Sequence, residues 1–359
     1  MEHIVIIGNG ISGVTAARHI RKNSDKKITL VSAETKYFFS RTALMYVYMG
    51  HMKFEHTQPY ENWFWDKNKI ELKEGFVNTI NTDKKTLKFK DSSTLSYDKL
   101  IIATGSKPNK FGWPGQDLKG VMGMYHKQDL ENLEKFAPNK EKCKRAVIVG
   151  GGLIGIELAE MLRSRKIPVT FLVREASFWN GVLPTQESEM INNHIKEHHI
   201  DLRLSTNLKE IKADKNGNVK SVIIEETGEE IFCNVVGLTA GVTPNIDFIK
   251  DSGISLGRGV KVNRFLETNI KNVYAIGDAA IMLNESEYGH PQVAQVAIQQ
   301  ADNLANNMIK GKQKEFSYND LGSMATIGRN KAVCDFPRFS MKGFVAWVIW
   351  LLVHLMAIL

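Results

Sequence analysis

What most constrains this chain is a glycine pattern that occurs twice. Residues 4–13 read Ile-Val-Ile-Ile-Gly-Asn-Gly-Ile-Ser-Gly. An apolar strand pattern runs into Gly8-x-Gly10-x-x-Gly13, and an apolar helix pattern follows from Val14 to Ile20. Residues 146–157, Ala-Val-Ile-Val-Gly-Gly-Gly-Leu-Ile-Gly-Ile-Glu, repeat the arrangement with Gly150-x-Gly152-x-x-Gly155. Each glycine has its own task. The first permits a tight turn, the second lets a pyrophosphate reach the backbone, and the third lets helix and strand pack closely. The helix N-terminus then offers free N–H groups and a positive dipole end to the phosphates. One such turn is weak evidence. Two of them, 142 residues apart, predict two bound dinucleotides, and a protein holding two usually passes electrons between them. The candidate contacts are Gly8, Gly10, Ser12 and Gly13 in the first turn and Gly150, Gly152, Ile154 and Gly155 in the second.

The residues after each turn differ. A strand pattern at Ile28–Val31 follows the first, and Glu34 lies 21 residues beyond Gly13. A carboxylate near that offset accepts hydrogen bonds from ribose hydroxyls. The second turn leads to Val169–Val173, then Arg174 and Glu175. Arg174 is placed to meet a 2′-phosphate and Glu175 a ribose, or both point to water. Coenzyme preference stays open, and the second ligand is written NAD(P)H.

A chain of 359 residues, 43% hydrophobic and 24% charged, can bury two sizeable cores. Its three cysteines, Cys143, Cys233 and Cys334, are far apart and form no CxxC pair. That spacing excludes a redox-active disulfide and suits a reducing compartment. No charged-then-apolar leader precedes Ile4, so no secretory signal is expected. Alternation from Ile70 to Leu95 predicts a small antiparallel meander, and Asn216-Gly217 predicts a hairpin.

Further motifs carry a resemblance. Tyr97 to Gly105 reads Tyr-Asp-Lys-Leu-Ile-Ile-Ala-Thr-Gly, Thr268 to Asp278 reads Thr-Asn-Ile-Lys-Asn-Val-Tyr-Ala-Ile-Gly-Asp, and Leu238 to Asn245 reads Leu-Thr-Ala-Gly-Val-Thr-Pro-Asn. With the glycine turns, these resemble the two-dinucleotide-domain flavoprotein reductases over essentially the whole chain. The resemblance implies an α/β fold of two Rossmann-like doubly wound domains, followed by a C-terminal apolar helical segment. The FAD domain is expected to be split, at 1–112 and 241–318, with the NAD(P)H domain inserted at 113–240 and the tail at 319–359. It implies FAD on the first turn, with Thr104, Gly105, Gly277 and Asp278, the aspartate holding the ribityl chain. It implies NAD(P)H on the second turn, with Gly241 where the chain crosses back. Glu157 follows the third glycine of that turn. In resembling enzymes this glutamate points towards the flavin–nicotinamide contact; the plainer reading is a first-turn glutamate interacting with the helix dipole. Arg41, after Phe38-Phe39-Ser40, matches an arginine near the flavin in the nitrite-reductase-like branch.

The last 17 residues, Gly343 to Leu359, contain one polar side chain, His354. As a helix they would extend about 25 Å at ~1.5 Å per residue, less than the ~20 residues that span a bilayer. Trp347 and Trp350 suit a membrane interface. Lys310, Lys312, Lys314, Arg329, Lys331, Arg338 and Lys342 outweigh Glu315, Asp320 and Asp335, a net +4 that is half of the chain's +8. Such a stretch suits anionic lipid; the alternatives are a solvated face and, for the apolar run, a buried core or dimer helix. No nucleic-acid module accompanies the charge, so no nucleic acid is expected, nor a metal. Ala294 to Gln300, Ala-Gln-Val-Ala-Ile-Gln-Gln, together with Tyr318–Arg329 and Gly343–His354, resembles type II NADH:quinone oxidoreductases. Phe38–Arg41 departs from that family's aromatic, proline-rich turn. The resemblance implies that Gln295 and Gln299 lie at the flavin's pyrimidine side beside a quinone tunnel, with Gln299 taking part in the reaction. The expected activity is hydride transfer from NAD(P)H to FAD, then two electrons to a quinone without proton pumping. The expected place is the cytoplasmic, inner face of the cell membrane, with 343–359 on the membrane; a homodimer is compatible with this. The alternative is a soluble reductase of a small carrier such as rubredoxin or ferredoxin. A third reading is an NAD(H)-responsive signalling flavoprotein.

Overall fold

The computed structural model describes residues 1–178, 192, 195, 197, 199–282, 289–311, 313–326, 332–336 and 339–358. The chain divides into two compact units. One comprises Met1–Ser40, Gln58–Lys107 and Thr243–Asp320; the other comprises Arg41–Thr57, Pro108–Val242 and Leu321–Leu359. Through residue 164 the main elements are β1 (His3–Ile7), α1 (Ile11–Lys22), β2 (Lys27–Ser32), α2 (Leu44–Tyr48), α3 (Asn62–Lys67), β3 (Ile70–Glu74), β4 (Val77–Asn81), β5 (Thr86–Phe89), β6 (Thr94–Ser96), β7 (Lys99–Ile102), α4 (Lys127–Phe136) and α5 (Leu153–Ser164).

The first unit is built on a five-stranded parallel sheet in the order Val273–Ala275, β7, β1, β2, β3. Its central strands read as unbroken apolar runs because both faces are covered. Ile4, Val5, Ile6, Leu100 and Ile101 are fully buried. Helix α1 and the helix Ala294–Lys310 share this core through Ala16, Ala17 and Ile20 on one and Ala301, Leu304 and Ala305 on the other. The chain runs from β1 to β2 on one side and to β7 on the other, so the carboxyl end of β1 is a topological switch point, and Gly8 lies there.

The expected meander is present as the antiparallel sheet β4-β5-β6, but it is shorter than expected. Ile70–Glu74 instead pairs in parallel with β2 as the outer strand of the large sheet. An edge strand keeps the alternation of a half-exposed one, which is why its pattern resembles that of a meander strand.

The second unit repeats the plan. Its parallel sheet runs Asp201–Arg203, Val169–Leu172, Ala146–Val149, Val235–Leu238, Val121–Met122. The expected hairpin joins Leu208–Ala213 to Val219–Ile224, with Gly217 at φ +76°. Segment Arg41–Thr57 belongs to this unit: Arg165, the C-cap of α5, donates to the Tyr48 carbonyl at 3.0 Å, to the Pro138 carbonyl at 3.1 Å and to Glu134 on α4 at 2.7 Å. Its guanidinium lies 3.6 Å from the centre of the Tyr48 ring.

The C-terminal strands Ser323–Thr326, Ala332–Phe336 and Phe339–Gly343 form a small antiparallel sheet. Helix Phe344–Ile358 packs on it through Ala346, Trp347 and Trp350, around buried Cys334. Among the described residues no helix is long and apolar enough to cross a membrane. Lys312, Arg329, Lys331 and Arg338 of the basic stretch, and the end of the Tyr318–Arg329 motif, lie outside the described residues.

Candidate dinucleotide and flavin site

The two glycine turns have the same construction. A Cβ on Gly8, at φ +112°, would stand 2.1 Å from the Ala103 carbonyl oxygen, and one on Gly13 would stand 1.9 Å from the Gly8 oxygen. A Cβ on Gly150 would meet the Ala240 nitrogen at 2.6 Å, and one on Gly155 would meet the Gly150 oxygen at 2.7 Å as well as the Phe171 ring. Backbone against backbone cannot give way, so these positions take only glycine. The middle glycines are different. Nothing lies within 4 Å of a Cβ on Gly10, and on Gly152 the nearest atom is 4.0 Å away. That open space is what a pyrophosphate needs. Gly10 and Gly152 are also the N-caps of α1 and α5, and neither helix has a side-chain cap or an acidic residue in its first turn. Its free amides are left for a ligand. Both turns therefore fit the phosphates of a dinucleotide.

Around the first turn the expected residues converge. Asn9, buried, donates to the Thr35 carbonyl at 2.8 Å and braces the loop that carries Glu34. The Thr104 hydroxyl donates to the Asn245 carbonyl at 2.8 Å, and the Asn245 amide donates to the Gly105 carbonyl at 2.9 Å. Gly277 has φ +68° and packs against Ser12, whose Oγ a Cβ would meet at 2.8 Å. Asp278 accepts a hydrogen bond from the Ser106 hydroxyl at 3.0 Å. The Gln292 amide in turn donates to that hydroxyl at 3.1 Å.

Three of these residues were not expected: Ser106, Gln292 and Gln300. The Gln300 side chain, 2% exposed, accepts the Gly277 amide at 2.7 Å. Its neighbour Gln299 does something else. Both of its polar side-chain atoms pair with the backbone of Asn319, at 2.9 and 3.0 Å, as a strand partner would. Gln295 lies one turn earlier on the same helix. Arg41 donates to the Tyr125 carbonyl and stacks 4.6 Å over the Tyr125 ring, within the second unit.

In the second turn Ile154 is the second residue of α5, and Glu157 lies beyond the helix's first turn. The plainer reading of Glu157 as a dipole partner therefore loses its geometry. Burial, then the neighbouring carboxylate of Glu160, pushes the Glu157 carboxyl up to about 7. Tyr46 on α2 faces the same pair: burial first, then Glu157 and Glu160, raise its hydroxyl. Arg174 is largely exposed and pairs with Glu175 at 2.9 Å. Gly241 has φ +82°, and its carbonyl accepts the Asn109 amide at 3.1 Å. All three cysteines are buried, with thiols raised by burial, Cys143 to about 11 and Cys233 to about 12. None offers the thiolate that disulfide exchange needs.

A family profile described as pyridine nucleotide-disulphide oxidoreductase matches residues 2–301. The chain belongs to that family. It is an NAD(P)H-dependent FAD oxidoreductase with the two-dinucleotide-domain fold, and FAD with NAD(P)H as substrate is the expected cofactor set. It is 29% identical over 283 residues to the assimilatory nitrate reductase electron transfer subunit of Bacillus subtilis, covering 78% of this chain and 36% of that protein. It is 30% identical over 278 residues to the NADH-rubredoxin oxidoreductase of Clostridium acetobutylicum, covering 77% of this chain and 68% of that protein. The fold matches a ferredoxin reductase from Rhodopseudomonas palustris with a TM-score of 0.83 and 22% identity, over 93% of this chain and 82% of that one. None of these three names a quinone.

Bound FAD supplies the hydride-accepting and electron-storing chemistry. The chain's own residues do the rest. The two turns would hold the pyrophosphates, Asp278 presents a carboxylate oriented by Ser106 and, through it, Gln292, and Glu157 offers a carboxyl pushed up to about 7.

Proposed function

We propose that this reductase passes electrons from NAD(P)H through FAD to a small one-electron carrier protein of the rubredoxin or ferredoxin type. The observation that carries this is the acceptor named for its relatives, a rubredoxin in the 30%-identical enzyme. The buried thiols support it, since they leave the flavin as the sole electron store among the described groups. A hydride delivers two electrons, so each turnover reduces two carriers. The test is anaerobic stopped-flow. The yellow protein is bleached with NADH or NADPH, then mixed with a rubredoxin, a ferredoxin or a short-chain quinone. Carrier-dependent return of the flavin absorbance, saturating at two carriers per flavin, is the expected result. Reoxidation by quinone alone would replace this reading.

That replacement is the second reading, NAD(P)H:quinone reduction on the cytoplasmic face of a membrane. One observation favours it. Phe344, Val345 and Leu352 of the C-terminal helix are 61%, 62% and 53% exposed. An apolar stripe left in water is a common mark of a membrane or partner surface.

A further inference from the structure

One cavity in the first unit is lined by none of the glycine-turn residues. It opens in the first unit where α1 and α3 end, has a volume of about 490 Å³, and is lined by Arg18, Arg21, Lys22, Lys67 and Lys69. That volume is in the range of small-molecule sites, ~300–1,000 Å³. Its lining begins on α1 at Arg18, eight residues beyond the N-cap Gly10, about 12 Å at ~1.5 Å per residue. It is therefore not part of the pyrophosphate cradle.

The simple explanation for its charge is helix chemistry, because cations favour the carboxyl ends of helices. The magnitudes do not match. Five cations line the cavity against one carboxylate, Asp25. Two helix ends offset only about half a charge each, which leaves roughly three positive charges. None of the five makes an ion pair among the described residues, whereas the neighbouring His19, Lys26 and Lys27 do, with Asp302, Glu2 and Glu71.

Three of the cations are also held in place without being neutralised. The Arg21 guanidinium donates to the carbonyls of Ser24, Lys26 and Lys69 at 2.9, 2.7 and 2.9 Å. Arg18 lies 5.0 Å over the Tyr60 ring, and the Lys67 ammonium lies 5.0 Å from the Trp63 ring. Carbonyls and ring faces fix a cation while leaving its charge for a ligand. Phe64 and Ile70 give the cavity an apolar wall.

We propose that this cavity binds a phosphate-bearing anion with a small apolar moiety, at a site separate from the two dinucleotide cradles. The planar Arg18 fork can face two oxygens of a tetrahedral phosphate, the Lys22, Lys67 and Lys69 ammonium groups add point charges, Arg21, its fork bonded to backbone carbonyls, adds long-range charge, and the Phe64–Ile70 wall takes the organic part. The same chemistry fits a soluble phosphomonoester and a lipid headgroup.

The test uses the FAD-loaded chain saturated with NAD⁺, so that both cradles are filled. Phenyl phosphate is titrated by calorimetry, and phosphatidic acid vesicles are titrated by co-sedimentation. The comparison is Lys22→Glu/Lys67→Glu, two exposed lysines with no structural hydrogen bond, whose FAD content and rate of flavin reduction should match the parent. Saturable phenyl phosphate binding that the variant weakens roughly tenfold or more supports a soluble ester. Vesicle binding lost in the variant, with phenyl phosphate inert, supports a lipid headgroup. If neither ligand distinguishes parent from variant, the proposal is wrong.

Discussion

Glu157 shows how far one residue could be read. Its place after Gly155 is visible in the sequence, but its acidity is not, because that depends on Glu160 one turn along and on burial under α2. Folding raises this carboxyl from an ordinary 4.5 to about 7, so the native state binds the proton more tightly than the unfolded chain. The contribution to stability is therefore fully present below about pH 4.5 and falls as pH rises towards 7. Glu157→Gln should abolish that part of the decline. Its Tm should match the parent at low pH and exceed it above pH 7, read by calorimetry from pH 4 to 8. If Glu157 also acts on the nicotinamide, the variant should lose the pH dependence of hydride transfer while keeping its FAD content. Equal loss of flavin and rate would mark Glu157 as merely structural. The glycines were legible for the opposite reason. Gly8 and Gly13 obey a local steric rule, and no distant partner is needed to state it.

At the scale of elements, strands and helices of the two parallel sheets follow directly from apolar runs and turn residues. What was not legible is pairing over long sequence distances. Ser106 reaches Asp278 across 172 residues, and Gln300 reaches Gly277 across 23. The motif at Ala294–Gln300 drew attention to Gln299, yet its neighbour carries the buried bond, because a shift of one residue turns a helical side chain by about 100°. Gln300→Leu tests this. It keeps the volume but leaves the buried Gly277 amide without an acceptor, at a cost of about 1–3 kcal/mol. The expected result is a lowered Tm with partial loss of FAD, since Gly277 precedes Asp278. Gln299→Leu, whose bonds are to the exposed Asn319, should cost less. The reverse order in calorimetry and flavin absorbance would refute this assignment.

For the whole molecule, the pair of doubly wound units falls largely within the family match at 2–301, and the C-terminal sheet and helix lie beyond it. The helix has two faces with different work. Ala346, Trp347 and Trp350 close the small core around Cys334, while Val345 and Leu352, seven residues apart and so on one stripe, face outwards. Removing the helix would therefore confound folding with binding, and substitutions on the outer stripe separate them. Burying a side chain of this size is worth about 1.5–3 kcal/mol, so Val345→Glu/Leu352→Glu should lose at least about 3 kcal/mol of any membrane affinity, over a hundredfold in partition. The variant should retain its Tm, FAD and NAD(P)H-dependent bleaching, because the inner face is untouched. Vesicle flotation decides the matter. Parent chain that floats and variant that does not would place the helix on the membrane and revive quinone as acceptor. Equal flotation of both, or of neither, would refute the anchor and leave the soluble carrier as the destination of the electrons.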